Sequence, residues 1–325
     1  MAAATAALGL AACGGSSGAS TSSVIVKTGG SGSTSSTGSA NTSTASRTAT
    51  APPPRPKPVF PPYPQLLHGA TATSPTNFVP ASRWQGQTAA WVAHSPSGVS
   101  LLSFDQRLAK LTLHSGTIDA GTEGWRYGPA ITGIERRHLI AAFNGGFRLS
   151  TGAGGFMSYG KVAVPLRDGL GSIVSYSDGT TDIGSWHQGV PAPGKTAVSV
   201  RQNLNLLIDK GAPAANADCP SCWGATLGGV SDPARSALGI TAHGRLIWAG
   251  GEHLTPSTLA GALLGARVLR AVELDINPQW VAGYLYGHRH GVGPLAPVQV
   301  LPDQPGIAGQ LLTPYSRDFF TVAAR

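Results

Sequence analysis

The chain has 325 residues, a formal net charge of +8 and only 12% charged side chains. Its 44 glycines and 25 prolines speak for many turns and short strands and against a helical bundle. The basic balance suits an anionic partner such as a phosphosugar, a cell-wall polymer or a membrane surface. Lys and Arg are scattered, without a basic run or an aromatic-basic stripe, which argues against nucleic acid.

The first 64 residues are nearly all small or polar and have too little apolar surface to offset the entropy of ordering. Residues 1–13 read as an export signal: a short apolar run ends in Leu10-Ala11-Ala12-Cys13-Gly14, which resembles the bacterial lipobox, where the cysteine is lipidated after cleavage. The basic start of a usual signal is missing. Either translation begins upstream of Met1, or the match is chance in an Ala-rich tract; export is the favoured reading. Residues 14–64 are expected to be a disordered Ser/Thr/Gly tether that stiffens through Pro52-Pro53-Pro54-Arg55-Pro56-Lys57-Pro58. No later apolar run approaches the ~20 residues of a membrane span, so attachment to a membrane is expected only through a lipid on Cys13. The expected location is outside the cell membrane, anchored or secreted.

Residues 65–325 form one expected domain, long enough for a sizeable core. Its fold class is read as α+β: mixed and strand-rich, with a few helices packed on a twisted sheet. Strands are predicted at 89–93, 99–104, 109–114, 139–143, 172–176, 180–183, 238–242 and 245–249, several joined by Gly-containing tight turns. A short helix fits 132–138. The clearest helix is 256–264: Thr255 is its N-cap, Pro256 its first residue, and Gly265 the point where the chain leaves it. A strand over 268–276 follows.

In Cys219-Pro220-Ser221-Cys222 the spacing admits a redox pair, half of a zinc site, or a disulfide closing a surface loop. No βαβ pattern surrounds it and no second Cys pair exists, which favours the disulfide. Side-chain alternation puts Glu273, Asp275 and Asn277 on one face of the last-named strand. Carboxylates two apart raise one another's pKa, which suits proton transfer; the alternative is a solvated face or a Glu273–Arg pair. In Asn144-Gly145-Gly146-Phe147-Arg148 the glycines allow positive φ or close approach to a ligand, and the amides could bind an anionic oxygen. Arg201 (in Arg201-Gln202-Asn203) and Arg235 each stand at the start of an apolar stretch, where a guanidinium could clamp a phosphate. His288 and His290 share a face of an extended chain but lack a third ligand. The sequence has no P-loop, H-E-x-x-H or G-x-S-x-G, and no metal or cofactor is expected.

Taken in order, these pieces resemble the phosphodiester glycosidase family over residues 90–325. Its landmarks are an Asn-Gly-Gly-Phe turn, an Arg-(Ser/Thr)-Ala-(Ile/Leu)-Gly strand entry, and a helix followed by a strand ending Leu-Asp-Gly-Gly-Gly-Ser. Asn144-Gly145-Gly146-Phe147, Arg235-Ser236-Ala237-Leu238-Gly239 and the helix from Pro256 with Leu274-Asp275 match them in turn. After Asp275 this chain instead reads Ile276-Asn277-Pro278-Gln279-Trp280, a Glu-Leu-Asp-Ile-Asn-Pro form read as a variant branch among exported proteins of high-GC Gram-positive bacteria. The resemblance implies hydrolysis of a sugar-1-phosphodiester. Asp275 would be the base or nucleophile and Arg235 the main phosphate ligand, with Arg148, Arg201 and the glycine amides in support. Asn144, Asn203 and Asn277 would orient hydroxyls or water beside Glu273, and Trp280 would offer a face to a sugar ring. The competing expectations are a wall- or polysaccharide-binding lipoprotein without catalysis, and a structural envelope protein that binds neither.

Overall fold

The computed structural model describes residues 56–67, 77–224 and 229–325. The chain divides into two units, Met1–Pro56 and Lys57–Arg325. The signal, Cys13 and the tether as far as residue 55 lie outside the described residues. The predicted tether is not unattached up to residue 64. Tyr63 N–H donates to Gly291 O (3.3 Å), Pro64 O accepts from His288 N–H (2.9 Å), and the Tyr63 ring stacks on His288.

The second unit is built mainly of strands. Among the described residues its main sheet has 14 strands, and a second sheet has 5. Through its middle the main sheet runs Leu206–Asp209, Val268–Glu273, Arg235–Thr241, Leu246–Gly251, Ser100–Phe104 and Gln87–His94. Further along come Gly283–His288, Leu139–Asn144, Phe319–Ala324 and, at its end, Ala109–His114. Gly171–Tyr176 and Ala197–Gln202 lie at the centre of the second sheet. Among the described strands every pairing is antiparallel except that of Gln65–Leu66 on Gly283–His288.

Alternation explains how the main sheet is buried on two sides. Leu238 and Val272 point into a core shared with Phe143, Trp248 and, from the second sheet, Phe156, Ile173 and Ile183. Their neighbours Ala237 and Ala271 point the other way, onto Leu259 and Leu263. Those leucines belong to the Pro256–Gly265 helix, where Thr255 Oγ1 caps the amide of Thr258 at 3.1 Å and Pro256 takes the first turn. Each fully buried leucine contributes roughly 1.5–3 kcal/mol relative to exposure. Gly265 is still helical, and the left-handed residue after the helix is Arg267 (φ 62°).

The predicted short helix is present at Gly133–Arg137. The strand expected over 268–276 stops at Glu273. Leu274 N–H and Asp275 O still bond Ser236 across the gap (2.7 and 3.1 Å). Asp275 Oδ1 then accepts the amide of Asn277 (2.9 Å), and Asn277 Oδ1 accepts that of Gln279 (2.9 Å). These two Asx turns satisfy backbone donors locally and steer the chain out of the sheet.

Candidate functional site

Where the chain leaves the Val268–Glu273 strand, it borders a cavity of about 640 Å³. Phe147, Leu204, Ile276 and Trp280 give it apolar walls; Asp275, Asn277, Arg148 and Arg317 supply polar groups. This pattern of apolar lining with a few convergent polar groups is the ordinary form of a small-molecule site.

Asp275 is 4% exposed, and Arg317 Nη2 donates to its Oδ2 at 2.9 Å. Burial pushes the Asp275 carboxyl above its usual range, against the opposing pull of Arg317 and the Asn277 amide. Arg317 also donates to Gly146 O (3.0 Å) and, through Nε, contacts Asp119. Its guanidinium lies over the Trp280 ring, 5.2 Å from the centroid. Burial opposes the charge on Arg317, but Asp275, Asp318 and Asp119 outweigh it and raise its pKa. Among the described residues Arg317 Nη1 has no hydrogen-bond partner, so one edge of a buried, charged guanidinium is left for a ligand.

Arg317 was absent from the sequence-based set. Its signal was the one used for the other arginines: Arg317-Asp318 stands immediately before the apolar strand Phe319–Ala324.

The other sequence candidates come together behind this cavity, where they are joined to one another. Arg235 is sealed: Nε donates to Leu254 O (2.8 Å), and Nη1 donates to Trp223 O (3.0 Å) and Glu273 Oε1 (2.7 Å). Neither Arg235 nor Glu273 lines the cavity. Glu273 is fully buried, which pushes its carboxyl up to about 8 against the pull of Arg235; repulsion from Asp275 is the smallest contribution. Arg201 pairs with Asp318 (Nε to Oδ2, 2.8 Å) and donates to Gln202 O and Phe147 O.

Asn203 accepts the Phe147 amide (3.1 Å) and donates to Glu273 O and Leu274 O (2.7 and 3.0 Å). It thus staples the Asn-Gly-Gly-Phe turn to the end of the strand carrying Asp275. Asn144 donates to Ser236 Oγ (2.9 Å) and accepts from Ala282 N–H (3.3 Å).

Gly145 and Gly146 have negative φ, and neither borders the cavity. A Cβ on Gly145 would collide with the Asp318 carboxyl, and one on Gly146 would lie 2.9 Å from Arg201 Cζ. Their glycine character is explained by close packing of the protein on itself, not by a left-handed backbone or a ligand.

Cys219 and Cys222 form a disulfide, and Trp223 and Gly224 after it reach Arg235 and the cavity wall respectively. His288 and His290 do not make a pair: the two ring nitrogens of His288 face Gly293 O and Arg137 O (2.7 and 3.2 Å). His290 is itself the left-handed kink (φ 54°).

No family model matches the chain, and no curated protein matches it in sequence. Solved structures resemble it at a distance, among them the following three. The catalytic domain of zebrafish N-acetylglucosamine-1-phosphodiester alpha-N-acetylglucosaminidase, auto-inhibited by its pro-peptide, is 16% identical with a TM-score of 0.42. That match covers 81% of this chain and 87% of the zebrafish one. A hypothetical protein from Synechocystis is 13% identical (TM-score 0.40), covering 74% of this chain and 63% of that one. An inferred exported protein of Burkholderia pseudomallei is 12% identical (TM-score 0.37), covering 75% and 77%. Likenesses this distant assign neither a family nor an activity. No helix among the described residues is long and apolar enough to cross a membrane.

Proposed function

We propose that the cavity at Asp275 hydrolyses a sugar-1-phosphodiester linkage in an anionic glycan outside the cell. The observation that carries this reading is a buried carboxyl held beside an arginine with a free guanidinium edge, on the wall of a ligand-sized cavity. A phosphodiester oxygen is already a good leaving group, so one carboxyl can serve where an ordinary glycoside needs two. Water adds, the sugar–oxygen–phosphorus linkage breaks, and free sugar and a phosphomonoester leave. Asp275 would take the proton from water or attack the anomeric carbon. Arg317, in the place the sequence reading gave to Arg235, would hold the phosphate and stabilise the charge that develops on it. Arg148, at the same cavity, would meet the outer phosphate oxygens, and Asn277 and Trp280 would meet the sugar.

A second reading has its own support. Both oxygens of Asp275 are engaged, one by Arg317 and one by the Asn277 amide. A carboxyl so occupied suits a glycan-binding module that makes no product.

One experiment separates the two. The full chain is incubated with a panel of sugar-phosphodiesters and phosphate-rich wall polymers, and both retention and release of phosphomonoester are scored. Product that disappears in Asp275→Asn supports hydrolysis. Retention without product supports the binding module, and neither result would refute both. The proposal also places the protein on the outer membrane face through Cys13; Cys13→Ser should then move it from the membrane fraction to the soluble one.

A further inference from the structure

A second cavity, of about 280 Å³, lies between the strand that ends the main sheet, Ala109–His114, and Gly171–Tyr176 and Ala197–Gln202 of the second sheet. It shares no lining residue with the cavity at Asp275. Three features set it apart from a seam between two sheets.

The first is unspent positive charge. Lys110 and Arg126 both line it, and among the described residues neither forms an ion pair. The charge of Lys110 is felt by Glu135, but Glu135 Oε1 is already engaged by His114 and Thr321. The contrast is a neighbouring cavity of about 530 Å³, where Arg107, Lys195 and Arg270 are paired with Asp105, Asp178 and Asp182. There three of the four lining Lys and Arg side chains are paired, Arg325 being the exception; in the smaller cavity neither cation is.

The second is a ring platform. Arg126 lies over the Tyr159 ring at 4.5 Å, and the Tyr127 and Tyr159 rings are 5.7 Å apart. Tyr159 is 42% exposed and sits at φ 49°, a left-handed backbone that a bulky side chain rarely takes. Tyr159-Gly160 is the two-residue turn between Ser158 and Lys161, and a primed hairpin turn requires positive φ at both positions (49° and 80°), which fixes where the Tyr159 ring stands.

The third is unmet hydrogen-bonding capacity. Thr112 and Ser199 are more than nine-tenths buried and line the cavity. Their hydroxyls have no hydrogen-bond partner among the described residues. Each hydroxyl oxygen keeps some accessible surface, so both are open to water or to a polar ligand in this space.

We infer that this cavity is a second ligand site, for one hexose ring bearing a carboxylate or phosphate. The cations would take the anionic group, the face of Tyr159 not covered by Arg126 would meet the ring, and Thr112 and Ser199 would meet the sugar hydroxyls. Its volume of about 280 Å³ lies just below the usual range of ligand cavities (roughly 300–1,000 Å³), which fits a single ring and not an oligomer.

The test is calorimetric titration of the full chain with glucuronate, glucose 6-phosphate, glucose and inorganic phosphate, repeated on Tyr159→Gly, Lys110→Met and Trp280→Ala. Tyr159→Gly relieves the positive φ and should melt no lower than the parent, so lost binding cannot be ascribed to misfolding. At least one anionic sugar should bind at least tenfold more tightly than glucose and than phosphate. That binding should fall at least tenfold in Tyr159→Gly and in Lys110→Met and persist in Trp280→Ala. Glucuronate and glucose 6-phosphate together show whether carboxylate or phosphate is the preferred anion. The inference is overturned if neither anionic sugar binds, if glucose or phosphate binds as well, or if binding survives both Tyr159→Gly and Lys110→Met. Loss in Trp280→Ala alone would assign the ligand to the cavity at Asp275 and overturn it equally.

Discussion

Two arginine–carboxyl pairs stand at the end of one strand, and they have opposite surroundings. Arg235–Glu273 is enclosed by backbone carbonyls of Leu254 and Trp223 and has no opening. Arg317–Asp275, two residues further along at the carboxyl, borders a cavity and keeps one guanidinium nitrogen free. Charge and burial are nearly the same in both, since all four side chains are at most 6% exposed. What differs is access. The first pair ties the 219–224 loop, Leu254 (just before the N-cap of the Pro256–Gly265 helix) and the strand together; the second is placed where a reacting group can reach it.

The sharpest way to break this comparison is to remove each arginine or its partner in turn. Arg235→Met orphans the Leu254 and Trp223 carbonyls and strips Glu273 of its donor. With buried hydrogen bonds to a charged group worth roughly 1.5–3 kcal/mol each, we expect a loss of about 4 kcal/mol or more, read as a lower denaturant midpoint. Asp275→Asn should do the reverse. It keeps the shape and removes a charge that burial already disfavours, so stability should change by less than about 1 kcal/mol while phosphodiester turnover falls by roughly 100- to 10,000-fold. A stable Arg235→Met that has lost turnover would exchange the roles assigned to the two pairs.

A pH scan reads the sealed pair more finely. With its carboxyl pushed up to about 8, Glu273 keeps its proton in the folded state over a range where the unfolded chain, near 4.5, has released it. The folded state then binds more protons than the unfolded one, so this group makes stability fall as pH rises from about 4.5 to 8. Glu273→Gln does not titrate and should lack that fall. The difference between parent and variant should grow by roughly 3 kcal/mol between pH 5 and pH 8, measured by denaturant melts at each pH. Parallel curves would show that Glu273 is ionised in the fold and that Arg235 fully compensates its burial.

Local pattern made much of this legible, and distance in sequence hid the rest. The strands and the helix from Pro256 follow from alternation, turn residues and a Thr-Pro start, all of which are local. Asp275 was legible because a carboxyl at the end of a strand after a helix is a place where chemistry collects. Alternation gave Glu273 the same weight and could not show that Arg235 closes over it. Arg317 is 42 residues from Asp275, and it meets that side chain because Phe319–Ala324 pairs with Leu139–Asn144, bringing Asp318 against Gly145. No spacing rule anticipates that pairing. Gly145 and Gly146 were read for what glycine permits, whereas the side chains that come to lie on them decide why they are glycine.

The smallest effect concerns the wall of the open pair. Trp280 lies against Arg317 and borders the cavity, so it has two separable tasks: holding the guanidinium in place and offering its face to the ligand. Trp280→Ala removes both, and Trp280→Phe keeps a flat ring with a weaker quadrupole. If the ring mainly meets the ligand, alanine should raise KM about tenfold with kcat within about threefold, and phenylalanine should restore most of the loss. If it mainly positions Arg317, kcat should fall in both variants and KM should hardly move, because a displaced guanidinium no longer meets charge that develops only in the transition state. The first outcome confines catalysis to the Arg317–Asp275 pair; the second adds Trp280 to it as a positioning residue, a support the sealed pair gets from backbone carbonyls.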